Sequence, residues 1–261
     1  MSRQSVILIL EGSRNELSVQ VLSNLKDLVD FALKNSDWDI QRFILTGCAN
    51  VTWARNMIVS QALRMFPDAE TFILWDSDQV GLSNDAILKL LEANVDIVGT
   101  LIPSKWNVKI ETHFDIEKTP KIDLKNGDLI ELVPGDMRKP IVNREFTGAG
   151  VVAVKTRVFK GIADKKFADS FIGFDEETYD FFCHITVPVE VEDKKTKEKI
   201  IKQWVLIEEF AFFTKAYNAG YRLFIDPTIK IGHIGRYIYT LADIGEVKDG
   251  KRKRYPIQLN L

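Results

Sequence analysis

The first half of the chain alternates short β-branched runs with longer stretches at helical spacing. Val6-Ile-Leu-Ile-Leu10 reads as a buried strand, and Leu17, Val21, Leu22, Leu25, Leu28, Val29 and Ala32 then recur on one helical stripe. Ser13 or Asn15 is placed to cap that helix. Phe43-Ile-Leu45 predicts a second strand, and a helix follows from about Thr52 to Met65, ended by Pro67. Thr71 to Trp75 predicts a third strand. Ser83 or Asn84 is expected to cap a further helix through Leu91, and Val95 to Val98 a fourth strand. Strand–helix–strand alternation implies a mostly parallel central sheet flanked by helices, an α/β fold.

The second half is less regular. Lys125-Asn126-Gly127-Asp128 has a hairpin-type turn between Ile122/Leu124 and Leu129/Leu132. Phe146 to Val154 reads as a strand with glycines near its start. Residues 187–207 predict a β-hairpin insertion whose tip is the charged stretch from Glu192 to Lys199. A last helix runs from about Glu208 to Asn218 and stops at Gly220, a usual place for glycine. Neither repeats nor a dividing linker are visible, so a single domain over 1–235 is expected, with halves 1–104 and 105–235 and a C-terminal extension at 236–261.

Composition narrows the class without naming a function. Of 261 residues, 46% are hydrophobic and 28% charged, enough for a sizeable core, and a net charge of -2 gives no overall pull to nucleic acid or anionic lipid. The basic run Lys251 to Arg254 reads first as a solvated tail and second as a patch that touches a polyanion or a membrane surface. Cys48 and Cys183 lack CxxC spacing, so a disulfide framework and a zinc site are poorly supported and a reducing, cytoplasmic setting is expected. The apolar run ending at Leu10 has strand length, far short of the roughly 20 residues of a membrane helix.

Chemistry concentrates where the third strand ends, at Asp76-Ser77-Asp78. Residues two apart in an extended stretch point to one side, so the two carboxylates can converge on a hard cation such as Mg²⁺ or Mn²⁺. Open sheets bind ligands beyond the carboxyl ends of their strands, which is where the triplet falls. The triplet alone is weak, since about one Asp-X-Asp is expected by chance in a chain of this size. A second, Asp37-Trp38-Asp39, precedes a strand and lies at the wrong edge. A calcium loop fails at Val80 and Ile87.

Four further groups are candidates. Glu208-Glu209 opens the last helix, where acidic residues suit the helix dipole and where one of them could also act as a base. His233, between Gly232 and Gly235, adds an imidazole suited to manganese. Arg55 either faces solvent from its helix or binds a diphosphate as a fork. Lys105 could neutralise phosphate. His113 carries no usable pattern.

Taken together these pieces resemble glycosyltransferase-A-fold (GT-A) enzymes, the family-2-like and mannan-polymerase-like groups especially. "FILWDSDQVGLSNDAILKLLEANVDIVG" is similar to their strand, DxD turn, helix and strand, and "ARNMIVSQAL" to the Ala-Arg-Asn helix before it. "FTGAGVVAVKTRVF" resembles the glycine-bearing strand near their acceptor site, and "EEFAFFTKAYNAGYRLFIDPTIKIGHIG" their closing segment. The similarity spans most of residues 5–235, in order.

The resemblance implies a metal-dependent transfer of sugar from a UDP- or GDP-linked donor to an acceptor hydroxyl. It implies Asp76, Asp78 and His233 as ligands of Mn²⁺ or Mg²⁺, and Glu209 at the family's catalytic acid position, with the Glu208-Glu209 pair leaving the base assignment open between the two. Glu11, Gly12, Ser13, Arg14, Arg55, Asp76, Ser77, Asp78 and Lys105 would bind the donor, and Gly148, Ala149 and Gly150 would lie on the acceptor side. Two departures stand out: the family's acidic pair is most often Glu-Asp, and residues 105–144 match nothing in it. The alternatives are a sugar nucleotidyltransferase, disfavoured because Glu11 to Asn15 holds one glycine and no GxG, and a non-catalytic nucleotide-sugar-binding module. A glycan, a protein, a lipid head group and modified DNA are all compatible acceptors.

Overall fold

The computed structural model describes residues 3–10, 19–45, 50–102, 128–132, 150–173, 176–192, 196–206, 208–234, 238–239, 247–248 and 251–252. The first half runs β1 (Arg3–Leu10), α1 (Val19–Asn35), β2 (Trp38–Leu45), α2 (Val51–Met65), β3 (Thr71–Asp76), β4 (Gln79–Gly81), α3 (Ala86–Glu92) and β5 (Ile97–Leu101). The second half begins with β6 (Ile130–Leu132), β7 (Val151–Lys155), α4 (Thr156–Asp164), β8 (Ser170–Gly173), β9 (Glu176–Tyr179), β10 (Ile185–Glu192) and β11 (Lys199–Leu206). It ends with α5 (Glu208–Asn218), β12 (Leu223–Ile234), β13 (Ile238–Tyr239), β14 (Val247–Lys248) and β15 (Lys251–Arg252).

The central sheet has the order β13-β12-β5-β7-β3-β1-β2, with β4 and β6 also paired to β12. Strict alternation along β1 and β3 divides the core. Val6, Leu8, Leu10, Phe72 and Leu74 face one cluster with residues of α2, α4 and α5. Ile7, Ile9, Ile73 and Trp75 face the other with residues of α1 and α3. Burial on both faces is why these strands read as unbroken apolar runs.

The α/β architecture flanked by helices is as expected, but the sheet is mixed where a mostly parallel one was expected. β1 pairs parallel with β2 and β3, and β12 with β5. β7 enters antiparallel between β3 and β5. Its direction brings the start of β7 against the end of β3, where the acidic turn lies.

Other differences are local. β2 starts at Trp38, which is buried, so the second strand is longer than Phe43–Leu45. Asp39 pairs with Gln4 and Asp76 with Leu10, so the two Asp-X-Asp triplets sit at opposite ends of β1 as expected. The fourth predicted strand is displaced to Ile97–Leu101, and the strand expected from Phe146 is described from Val151 to Lys155. α3 is preceded by Asp85, which makes no side-chain capping bond, in place of Ser83 or Asn84. β4 escaped the sequence reading because three residues carry too little pattern; its partner β12 is distant in sequence. β6 joins β12 antiparallel. The capping residues Ser13 and Asn15, and most of the 122–128 turn, lie outside the described residues.

The hairpin is present as β10 and β11, a two-stranded sheet of its own. α5 spans Glu208–Asn218 and Gly220 has a φ of +93°, a conformation that favours glycine. No helix among the described residues is long and apolar enough to cross a membrane.

Candidate active site

The turn after β3 is held by backbone bonds from three directions. Asp76 N–H donates to the Gly150 carbonyl at 2.8 Å, and Ser77 N–H to that of Leu10 at 3.0 Å. Ile234 N–H donates to the Asp78 carbonyl at 2.7 Å. The buried Trp75 indole donates to the Gln79 carbonyl at 3.0 Å and closes the turn from below. Gly150 has a packing reason to be glycine. A Cβ there would lie 2.8 Å from Ile102 Cδ1, 3.3 Å from Gln79 Nε2 and 3.4 Å from Asp76 Oδ2.

The antiparallel pairing of β4 with β12 sets His233 opposite Gln79. His233 Nε2 therefore comes within 3.1 Å of Asp78 Oδ2, and Gln79 Nε2 donates to Asp78 Oδ1 at 3.4 Å. The histidine is buried, while Asp78 remains partly open to solvent. An imidazole and a carboxylate so placed form a donor pair suited to manganese.

Asp76 has a different neighbour. Arg55, on α2, is only 3% exposed, and its Nη2 donates to both Asp76 oxygens, at 3.3 and 3.1 Å. Its Nη1 lies 3.6 Å from Glu208 Oε1 and 3.7 Å from Glu209 Oε2. The fork expected to meet a diphosphate, or solvent, is thus directed at three carboxylates. Burial opposes the charge on Arg55, but Asp76, Glu209 and Glu208 outweigh it and hold the guanidinium above its ordinary value. Burial also raises the Asp76 carboxyl, and the Asp78 charge adds to this while Arg55 opposes it.

Of the three metal ligands implied by the resemblance, Asp78 and His233 are adjacent and Asp76 is turned to Arg55. Among the described residues no three His, Cys, Asp or Glu side chains are gathered around one point as a metal set. Glu11, Gly12, Ser13, Arg14, Lys105, Gly148 and Ala149 lie outside the described residues, as does His113.

Several contributors had no local signal in the sequence. His184 Nε2 stands 3.5 Å from Glu208 Oε2. Asn56 and Ser60, both buried on α2, accept from Phe182 N–H at 2.7 Å and Tyr179 N–H at 3.0 Å. Their i, i+4 spacing on a helix beside Arg55 was visible, but their partners are more than a hundred residues away. Lys215 is buried on α5 and donates to Asp180.

No family model and no curated protein matches the chain. Among solved structures, it is similar to A197 from STIV, at 15% identity over 98% of this chain and 99% of that one, with a TM-score of 0.49. It is also similar to the catalytic domain of Drosophila beta1,4-galactosyltransferase 7 in complex with xylobiose, at 11% identity over 86% of this chain and 65% of that one, TM-score 0.43. A third is the inositol-1-phosphate CTP transferase of T. maritima, at 12% identity over 87% and 86%, TM-score 0.38. Each is a likeness of fold.

Proposed function

We propose that this chain is a metal-dependent glycosyltransferase that moves a sugar from a UDP- or GDP-linked donor to an acceptor hydroxyl. The observation that carries the reading is the convergence on one end of β3 of the Asp78–His233 pair and the Arg55-centred carboxylates Asp76, Glu208 and Glu209. Two chemistries are thereby neighbours: a site for a cation beside donor phosphates, and a carboxylate pair able to meet an acceptor.

Asp78 and His233 would hold Mn²⁺ or Mg²⁺, with Asp76 as a third ligand where it leaves Arg55. The donor set fits, being hard oxygen with one imidazole. Such an ion, when bound, neutralises negative charge on a diphosphate leaving group. Ser77 and the loop 11–14 border the same strand ends in sequence and are the proposed donor contacts, with Lys105. Gly148, Ala149 and Gly150 are the proposed acceptor side.

Glu208 or Glu209 orients the acceptor hydroxyl and, in an inverting reaction, takes its proton. Arg55 keeps the two glutamates and Asp76 in fixed relation, since each faces the same guanidinium. A cytoplasmic setting belongs to the same proposal.

The test is release of nucleoside diphosphate from UDP- and GDP-hexoses, with and without Mn²⁺, by the wild type and Asp78→Ala. Metal-dependent release that the substitution abolishes supports the reading. No release with any donor, together with nucleotide-sugar synthesis from a nucleoside triphosphate and a sugar 1-phosphate, would replace it with the nucleotidyltransferase alternative. Binding without turnover of either kind would leave a binding module.

A further inference from the structure

The hairpin ahead of the acidic pair places an imidazole on one of the two glutamates. β10 and β11 are in register from Ile185↔Leu206 to Glu192↔Lys199, so the hairpin's two roots lie side by side. His184 immediately precedes one root and Glu208 follows the other. His184 Nε2 stands 3.5 Å from Glu208 Oε2, while Glu208 Oε1 faces Arg55 Nη1 at 3.6 Å. The segment leading to His184 is itself fixed: Phe182 N–H donates to Asn56 Oδ1 at 2.7 Å, and Cys183 N–H to the Asp180 carbonyl at 3.3 Å.

Arg55 does not separate the two glutamates, which stand at 3.6 and 3.7 Å from the same nitrogen. What marks Glu208 is the histidine at its other oxygen. His184 is 53% exposed and Glu208 13%, so the imidazole links a largely covered carboxylate to solvent. A base that accepts a proton in each turnover must also discharge it, and a solvent-reaching imidazole is suited to that step.

Resting on the glycosyltransferase reading, we infer that Glu208 is the acceptor-side base and that His184 relays its proton to solvent. The acceptor O–H bond breaks and its proton passes to a Glu208 carboxylate oxygen. The acceptor oxygen forms its bond to the anomeric carbon. The bond from that carbon to the diphosphate oxygen breaks, and its electron pair leaves with the diphosphate. Glu208 then passes the proton to His184 Nε2, and the imidazole releases a proton from Nδ1 to water, restoring both groups. His184 acts through Glu208 and is a positioning and relay residue. The hairpin, whose register brings the two together, belongs to the machinery of proton removal.

The experiment uses the full chain and follows nucleoside diphosphate release from UDP-glucose and GDP-mannose with Mn²⁺, water serving as acceptor. His184→Ala is expected to lower kcat roughly a hundredfold with KM for the nucleotide sugar little changed. Tens of millimolar imidazole should restore much of that loss, which a purely structural defect would not allow. His184→Gln, which can hydrogen-bond but not relay, should stay slow, and Glu208→Gln should lose more than Glu209→Gln. Full activity in His184→Ala or His184→Gln, failure of imidazole to rescue a folded His184→Ala, or Glu209 as the dominant loss would each overturn the relay. Absence of turnover by the wild type with every UDP- and GDP-hexose would instead overturn the transferase reading, and the relay with it.

Discussion

Arg55 Nη2 is shared between both carboxylate oxygens of Asp76, so a buried cation on α2 neutralises the first aspartate of the acidic turn. The same guanidinium reaches the acidic pair that opens α5. Carboxylates from the end of β3 and the start of α5 are tied through one residue. Replacing it with Arg55→Met leaves three carboxylates without their shared counter-charge. Breaking a buried pair costs about 3–5 kcal/mol, and Asp76 is still 27% exposed, so a loss near the lower end, about 3 kcal/mol, is expected in urea unfolding. A loss below about 1 kcal/mol, the scale of an exposed pair, would show that the site rearranges around the gap.

Because Asp78, and not Asp76, is adjacent to His233, the two aspartates should respond differently to metal. Mn²⁺ at a hundredfold excess over its dissociation constant should stabilise the wild type by roughly 2.7 kcal/mol. Asp78→Asn and His233→Ala should lose most of the thermal shift, and Asp76→Asn should retain more of it. Equal loss in all three would mean that Asp76 leaves Arg55 as the metal enters.

Gly150→Ala probes the wall behind Asp76. The added methyl meets the end of Ile102, which can move, so the stability cost is expected at about 1 kcal/mol, the low end for overpacking. It also presses on Gln79 and Asp76, so KM for the donor should rise more than kcat falls. An unchanged KM in steady-state kinetics would show that the added methyl does not reach the donor site through Asp76.

Asn56→Ala removes the acceptor of the Phe182 N–H inside the core. An orphaned buried donor costs about 1–3 kcal/mol, measurable by urea unfolding. Turnover should fall as well, since His184 stands two residues further along the released segment.

At the opposite end of the sheet, burial, and then the charge of Arg3, push the Lys155 ammonium below its ordinary value. The unfolded chain therefore holds this proton more tightly than the folded one. The penalty is full below the folded pKa and disappears as pH rises towards the ordinary lysine range. Lys155→Met should make the protein slightly more stable at pH 7 and flatten the rise between pH 7 and 10, despite the lost bond to Thr71 Oγ1. A steeper rise in the variant, by urea unfolding at both pH values, would reverse the sign.

Elements whose pattern is local were legible along the chain. Val6 to Leu10 and Thr71 to Trp75 had to be central strands, because only burial on both faces tolerates such runs. Glu208 to Asn218 was bounded by its own acidic first turn and by Gly220. The Asp76–Asp78 turn followed from where β3 ends. What these residues face follows from the folded sheet. An antiparallel β7 set Gly150 over Asp76, three-residue β4 set His233 beside Asp78, and the hairpin's register set His184 against Glu208. Arg55 lay within a recognisable helix, but its direction depended on carboxylates arriving from β3 and α5. Each of these contacts joins residues whose separation along the chain leaves no periodic signal, and each is fixed by strand direction and register, which only pairing in the folded sheet selects.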